Sequence, residues 1–185
     1  PIKEGPVELA VMKITAVLPT YHEAENLPKL VSALFSLPLD LSMLVVDDNS
    51  PDGTGRIADN LSKDAAGRIQ VLHRAGKLGL RSAYLEGFAM AFETGADVVV
   101  QMDADFSHDP VVLTEMARCI ESCDVVIGSR YTKGGSLARR WPLWRKALSS
   151  FGNTYARTIL NFPLRDVTTG YRMWKRRALE GIPLD

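Results

Sequence analysis

Short apolar runs separated by segments with helical periodicity are the feature that most limits how this chain can fold. The clear runs are Ile14–Leu18, Met43–Val46, Ile69–Leu72, Val98–Met102 and Val125–Ile127. They are mainly apolar without a strict alternation, which is typical of strands that are covered on both faces. Helical patterns fill the intervals between them. The chain therefore alternates strands and helices.

The helical segments carry recognisable boundary signals. In the first, Asn26 is placed as the N-cap, Pro28 lies inside the first turn and Pro38 stops the helix. We expect further helices over Gly55–Lys63, Arg81–Gly95 and Pro110–Ser122. This alternation predicts an α/β fold of Rossmann-like type, with a mostly parallel sheet flanked by helices in a single domain.

Composition narrows the classes of function without choosing one. The chain has 185 residues, 46% of them hydrophobic, which is enough for one sizeable core and too few for two ordinary ones. Its 22 basic residues balance 22 acidic ones, so no global field favours nucleic acid, and we expect no nucleic-acid partner.

Cysteine usage and hydropathy indicate a reducing compartment and no membrane span within these residues. Cys119 and Cys123 lie four apart in a predicted helix, with no second pair or histidine cluster to complete a zinc site. We expect a reduced, cytosolic pair. No apolar run approaches the roughly 18 to 20 residues that a transmembrane helix needs.

Acidic residues follow several of the predicted strands, at the edge where open parallel sheets bind their ligands. Asp47 and Asp48 follow the second strand, and Asp103 and Asp105 follow the fourth. Because the chain turns after the fourth strand, both carboxylates of that pair can converge on one ion. Mg²⁺ or Mn²⁺ suits such oxygen ligands and keeps positions for water and a diphosphate.

Asp47 and Asp48 have two interpretations. Asp48-Asn49-Ser50 before Pro51-Asp52-Gly53 is typical of a turn or a helix cap. A carboxylate at a strand end can also accept hydrogen bonds from a nucleobase or ribose. The chain contains no Gly-x-Gly-x-x-Gly fingerprint and no phosphate loop ending in Gly-Lys-Ser or Gly-Lys-Thr, which argues against redox dinucleotide and P-loop chemistry.

Seven segments along the chain form one recognisable set. In order, they are Pro19 to Pro28, Val46 to Thr54, Lys77-Leu78-Gly79-Leu80, Asp103 to His108, Gly128-Ser129-Arg130-Tyr131, Arg145 to Ser149 and Thr169-Gly170-Tyr171-Arg172. Taken together they resemble the family 2 glycosyltransferases, and within them the polyprenol-phosphate (dolichol-phosphate) mannose synthases. The resemblance implies a GT-A type fold. It starts near Lys13, which predicts an N-terminal extension over residues 1–12 and a catalytic domain over 13–185.

The resemblance also implies roles for individual residues. A nucleotide sugar, GDP-mannose first, would bind residues that include the metal pair: Pro19, Thr20, Tyr21, Glu23, Asp47, Asp48, Lys77, Asp103 and Asp105. Asp103 and Asp105 would hold Mg²⁺ or Mn²⁺. Ser107 departs from relatives that have glutamine there as an extra ligand, so water would fill that position.

On the acceptor side, the resemblance implies that Arg130, Arg145 and Ser149 bind the phosphate of a polyprenyl or dolichyl phosphate. Asp105 and Arg130 would be the catalytic residues of an inverting transfer. The stretch Arg139-Arg140-Trp141-Pro142-Leu143-Trp144 joins positive charge to two tryptophans, which suits a peripheral position at the cytoplasmic face of a membrane. An ordinary helix with solvated arginines is the alternative.

Relatives of this type continue past the last residue of this chain. Some of them carry transmembrane helices there, and others rely on a membrane-anchoring partner. The resemblance therefore implies that a C-terminal part of the protein is missing from the sequence.

Other functions stay open at this level. A polyprenyl-phosphate glucosyltransferase using UDP-glucose shares most of the motifs. A nucleotidyltransferase would need a glycine-rich loop near the start, and an inert nucleotide-binding module would leave Arg130 and Arg145 without a shared explanation. Near the end, Asp166 and Arg172 are expected to pair across a turn, and the alternative is that they support the acceptor side of the site. His73 and His108 are assigned no catalytic role.

Overall fold

A computed structural model describes residues 12–130, 151–152, 154–155, 158–159, 166, 168–180 and 182. The predicted N-terminal extension lies outside the described residues, except for Met12. Among the helices that the structure describes, none combines the length and the apolar character needed to cross a bilayer.

One mixed sheet forms the centre of the described chain, with six strands in the order β3-β2-β1-β4-β6-β5. β1 pairs in parallel with β2 and β4, and β2 pairs in parallel with β3. β6 lies antiparallel between β4 and β5. The strands are β1 (Ile14–Thr20), β2 (Leu41–Asp47), β3 (Ile69–His73), β4 (Val98–Gln101), β5 (Val125–Ile127) and β6 (Arg172–Lys175).

The mostly parallel α/β sheet is confirmed, and the five predicted strands are present with ends shifted by at most two residues. The sequence analysis missed β6. Its residues Arg172–Lys175 place a methionine and a tryptophan between two cations, so no continuous apolar run marks it. The strand forms because both of its neighbours offer an unpaired edge to it.

The helices whose bounds the structure describes flank the sheet: α1 (Leu27–Phe35), α2 (Thr54–Asp64), α3 (Leu80–Glu93), α4 (Val112–Ile120) and the single turn α5 (Arg176–Leu179). Pro28 lies in the first turn of α1, as predicted, because that position needs no backbone donor. The N-cap prediction was half right. Asn26 occupies the position, but its side chain makes no cap bond and donates to Glu23 Oε2 at 2.7 Å.

The core has two layers because β1 sends successive side chains to opposite faces. Ala16 and Leu18 pack in the layer that also contains buried residues of α1 and α4. Val17 packs in the other layer, with Tyr84 and Phe88 of α3. Both faces are therefore covered, which accounts for the lack of polar alternation in the strands.

α3 approaches the sheet closely at Gly87. A Cβ at this position would lie 2.4 Å from Val17 Cγ1 and 3.1 Å from Val46 Cγ2. Real Cβ atoms do not reach such distances without displacement of a neighbour. This close contact fixes the height of α3 above the sheet, and α3 carries residues to the carboxyl edge.

Gly87→Ala should destabilise the fold by about 1–3 kcal/mol through overpacking against Val17, more than the roughly 1 kcal/mol that alanine gains in a helix. Gly152→Ala is the matched control, since nothing lies within 4 Å of a Cβ there. Urea unfolding followed by circular dichroism measures both. An unchanged free energy of unfolding for Gly87→Ala would contradict the packing described here.

Candidate functional site

A cavity of about 250 Å³ opens at the carboxyl edge of the sheet, beyond β1, β2 and β4. Eight of the nine residues predicted to bind a nucleotide sugar line it: Pro19, Thr20, Tyr21, Glu23, Asp48, Lys77, Asp103 and Asp105. Gly79, Leu80, Ala83 and Ala104 complete the lining. Segments far apart in sequence therefore meet in one concave site.

The ninth residue, Asp47, is buried behind the cavity wall and is 2% exposed. Its Oδ1 accepts hydrogen bonds from Thr20 Oγ1 at 3.0 Å and Ser50 Oγ at 2.6 Å, and its Oδ2 accepts from Ser50 N at 3.0 Å. Gly55 permits this packing, because a Cβ there would lie 2.8 Å from Oδ2. Asp47 thus ties the end of β1 to the turn after β2. Its direct contact with a nucleotide stays a prediction.

The turn after Asp48 also has the form expected from its sequence. Asp52 Oδ1 accepts from the backbone and the side chain of Thr54, at 3.1 and 2.6 Å, at the start of α2. The hydrogen bond from the Thr54 side chain is the main reason that the pKa of Asp52 is lowered. The capping interpretation of Asp52 therefore agrees with the structure.

Asp48 is held by an arginine that the sequence analysis did not single out. Arg74, immediately after β3, is 6% exposed and places NH1 2.5 Å from Asp48 Oδ1. Its NH2 donates to Ser82 Oγ at 2.6 Å and Glu86 Oε1 at 3.1 Å. A buried arginine needs such partners. The sequence offered one indication of this role, a cation directly after the apolar strand β3, which is next to the acidic end of β2.

Tyr21 and Lys77 form another part of the wall. Lys77 Nζ lies 4.1 Å from the centroid of the Tyr21 ring, a cation–π arrangement that joins two loops distant in sequence. Glu23 is fixed at the start of α1, where its Oε2 accepts from Asn26. An aromatic face beside a cation suits a base and a phosphate of a nucleotide.

Asp103 and Asp105 project from the loop after β4. Tyr84 donates its hydroxyl proton to Asp103 Oδ1 at 2.9 Å, and Ser107 N donates to Asp105 Oδ1 at 2.9 Å. Burial first, and then the Asp103 carboxylate, raise the pKa of Tyr84, so its hydroxyl stays protonated and remains a donor. Ser107 thus contributes its backbone to this loop, which the sequence could not show.

His108 supports the same loop. Asp103 N donates to His108 Nδ1 at 3.1 Å, so in the neutral ring the proton is on Nε2. Burial lowers the pKa of His108 although the Asp103 and Asp105 carboxylates oppose this shift. The ring is therefore neutral at pH 7. The sequence analysis had assigned it no role.

The carboxylate pair fits a hard divalent cation in its donor chemistry. Asp103 and Asp105 both line the cavity, each with one oxygen bonded to a neutral donor. Within the described residues, no third histidine, cysteine or acidic side chain completes a metal-binding group. Water and ligand oxygens would have to supply the other positions, as is common for Mg²⁺ at nucleotide sites.

Arg130 is bound to Asp166, which corrects the expected pairing of Asp166 with Arg172. Arg130 Nε and NH2 donate to Asp166 Oδ2 and Oδ1 at 2.9 and 3.0 Å. Arg172 Nε instead donates to Thr169 O at 3.0 Å. Burial alone would raise the pKa of Asp166, but the hydrogen bonds and charge of Arg130 outweigh it and lower the pKa. The pairing could not be inferred because it joins residues 36 apart.

The Asp103 loop packs directly against the segment that precedes β6. The His108 ring stacks on Tyr171 with centroids 4.9 Å apart, and Tyr171 donates its hydroxyl to Asp109 O at 3.2 Å. Gly128 makes room for this contact, since a Cβ there would lie 2.8 Å from Tyr171 Cδ1. Three of the sequence motifs therefore meet in one packed joint.

A second cavity of about 250 Å³ lies at the opposite, amino edge of the sheet. It is lined by residues that include Lys13, Asp40 and Arg68. It contains no acidic pair and no residue of the predicted site. The candidate site is therefore the cavity at the carboxyl edge. Arg145, Ser149 and the stretch 139–144 lie outside the described residues.

Known proteins with similar sequences are glycosyltransferases by name. The polyprenol monophosphomannose synthase of Mycolicibacterium smegmatis is 44% identical over 169 residues, covering 91% of this chain and 63% of the relative. The undecaprenyl-phosphate mannosyltransferase of Micrococcus luteus is 42% identical, covering 94% and 71%. The dolichol-phosphate mannosyltransferase of Pyrococcus furiosus is 36% identical, covering 94% and 49%. The chain thus spans about half to seven tenths of these relatives.

Solved structures with the same architecture are GT-A glycosyltransferases. A mannosyltransferase from Pyrobaculum calidifontis, in complex with GDP-Man and Mn²⁺, matches 98% of this chain and 52% of its own, with a TM-score of 0.64 at 16% identity. Glucosyl-3-phosphoglycerate synthase from Mycobacterium tuberculosis, with Mn²⁺ and UDP, matches 91% and 57%, with a TM-score of 0.63 at 17% identity. At these identities the likeness shows the fold alone.

The match to a family model decides the classification. Residues 15–182, which include all of the strands and helices described above except the first residue of β1, match the model described as glycosyl transferase family 2. The chain belongs to glycosyl transferase family 2.

Proposed function

We propose that this chain is the catalytic part of an inverting, metal-dependent enzyme that transfers mannose from GDP-mannose to a polyprenyl or dolichyl phosphate. The observation that carries the proposal is the single cavity shared by Asp103, Asp105 and the predicted nucleotide-binding residues. The names of relatives at 36–44% identity support mannose and a polyprenyl phosphate.

The nucleotide would bind where the cavity offers an aromatic face, a cation and a fixed carboxylate. Tyr21 and Lys77 would contact base and phosphate, and Asp48, held by Arg74, would accept hydrogen bonds. Mg²⁺ or Mn²⁺ on Asp103 and Asp105 would neutralise the departing nucleoside diphosphate. These groups position the donor and stabilise its leaving group.

The acceptor needs alignment and no strong base. A phosphate monoester carries its second negative charge above pH ~6, so its oxygen is already a nucleophile. An attack directly opposite the leaving diphosphate inverts the anomeric carbon. The chain must therefore hold this anion in line behind the sugar.

Within the part of the chain that the structure describes, Arg130 is the side chain that we assign to the acceptor phosphate. Its backbone N donates to Asp166 Oδ2 at 3.1 Å, in addition to its two guanidinium bonds, and its NH2 contacts Thr168 Oγ1 at 2.7 Å. Asp166 is 1% exposed, so its position is fixed by the surrounding structure. An arginine held this way is oriented before the acceptor arrives, which reduces the ordering cost of binding. Arg145 and Ser149 stay predictions as its partners.

A peripheral position at the cytoplasmic face of a membrane agrees with one exposed apolar stripe. Phe151, Tyr155 and Ile159 follow one another at helical spacing and are 69%, 62% and 66% exposed. An apolar stripe suits lipid chains, and the basic, aromatic stretch that precedes it in the sequence, at 139–144, suits anionic headgroups. How the whole protein is anchored, by a partner or by a further segment, stays a prediction.

The proposal predicts transfer of labelled mannose from GDP-mannose to a short polyprenyl phosphate, with release of GDP, only when Mg²⁺ or Mn²⁺ is present. UDP-glucose is the competing donor in the same assay, and Asp105→Ala is expected to be inactive while its melting temperature is unchanged. Product formed from UDP-glucose alone, or equal rates after chelation of the metal, would contradict the proposal.

Arg130→Lys should raise the KM for polyprenyl phosphate about 10-fold or more, with the KM for GDP-mannose unchanged, because lysine cannot keep the paired bonds to Asp166 that orient this cation. Arg118→Lys is the control, since Arg118 lies on the surface of α4 and pairs with Glu115. Steady-state kinetics with each substrate varied in turn measure the effect. Equal acceptor kinetics in the two variants would remove Arg130 from the acceptor site.

A further inference from the structure

Asp103 is held by two side chains that belong to different parts of the fold. Tyr84 reaches it from α3, and His108 reaches it from the end of its own loop. Neither residue lines the cavity. Their contacts to Asp103 therefore need an explanation other than contact with a substrate.

Tyr84 connects the site to the hydrophobic core. The side chain packs in the layer between α3 and the sheet, beside the Phe88 ring with centroids 5.8 Å apart, and it is 5% exposed. From this position its hydroxyl reaches Asp103 Oδ1 at 2.9 Å. A donor anchored in the core holds that oxygen in one direction, because the ring cannot follow a moving carboxylate.

His108 restrains the same residue from the other side. Its Nδ1 accepts from Asp103 N at 3.1 Å, and its Nε2 lies 4.0 Å from Asp103 Oδ2. The ring is itself fixed by stacking on Tyr171, with an interplanar angle of 10°. The backbone and both carboxylate oxygens of Asp103 thus each face a fixed polar group.

Asp105 is held less firmly. Its Oδ1 accepts from Ser107 N within the same loop, and the residue is exposed. The two carboxylates of the proposed metal site therefore differ: Asp103 is fixed by the core and by His108, and Asp105 by its own turn. An ion bound between them would take its position mainly from Asp103.

We propose that Tyr84 and His108 are positioning residues that fix the Asp103 carboxylate for a divalent cation, so that their loss weakens cation binding while the fold is kept. The inference rests on the proposed function, because it assumes a cation on Asp103 and Asp105. Outer hydrogen-bond partners of metal ligands typically contribute 10- to 100-fold to metal affinity. Such partners orient the ligand before the metal arrives.

The test is a titration of Mn²⁺ alone into this chain, followed by the loss of the free Mn²⁺ signal in electron paramagnetic resonance. Tyr84→Phe removes one hydroxyl and should raise the Kd for Mn²⁺ about 10-fold. Tyr155→Phe is the control, because it removes the hydroxyl of an exposed tyrosine that does not line the cavity. Its Kd should equal that of the unmodified chain.

His108→Phe is a second variant that keeps a ring against Tyr171 and removes both ring nitrogens. It should also weaken Mn²⁺ binding, whereas His73→Phe, at an exposed histidine paired with Asp59, should not. Thermal melting identifies a variant that does not fold. If His108→Phe does not fold, the Tyr84→Phe titration decides the proposal.

The outcomes separate the two levels of inference. Equal Mn²⁺ affinity in Tyr84→Phe and in the unmodified chain, with binding abolished in Asp103→Asn, would overturn the positioning role and leave the metal site intact. Binding of Mn²⁺ that is unaffected by Asp103→Asn would overturn the metal site itself, and the positioning role with it.

Discussion

Negative charge is concentrated at the carboxyl edge of this sheet, and each carboxylate there has to be compensated. The Asp47 carboxylate accepts hydrogen bonds from Thr20 and Ser50, and the Asp48 carboxylate forms an ion pair with the buried Arg74. Asp166 is compensated in the same way by Arg130. Carboxylates removed from water without such partners would be protonated or would destabilise the fold.

Asp103 and Asp105 differ from these in the strength of their compensation. In the described part of the chain, each has one oxygen bound by one neutral donor, and both face the cavity. The negative charge at the carboxyl edge is therefore least compensated at this pair. Under the proposed function, a divalent cation together with a diphosphate would compensate this pair.

The sequence was sufficient for the parts of the fold and site that local patterns determine. Strand ends placed Asp48, Asp103 and Asp105 at one edge, because parallel strands bring their carboxyl ends together. β6 escaped prediction, since a strand of mixed polarity forms only when its neighbours are in place. Propensity and periodicity act along the chain and do not specify such contacts.

The supporting residues of the site were missed for the same reason. Arg74 and Tyr84 donate to the carboxylates of Asp48 and Asp103, and His108 accepts from the backbone N of Asp103. Each lies several residues or more from its partner. The expected pair of Asp166 with Arg172 was wrong, because the arginine that reaches Asp166 comes from the end of β5. Residue type shows only that these side chains can form hydrogen bonds. The packing of the loops determines which partner each one has.

The joint between His108 and Tyr171 gives these loops a common position. It places the proposed metal carboxylates next to the segment that holds Arg130, so donor and acceptor groups are fixed relative to each other. Diffraction at the manganese absorption edge, from crystals of this chain grown with MnCl₂ and GDP-mannose, tests this account most directly. The account predicts one anomalous peak that marks a manganese ion within coordination distance of carboxylate oxygens of both Asp103 and Asp105, beside the diphosphate. Bound nucleotide with manganese elsewhere, or with none at that pair, would contradict it.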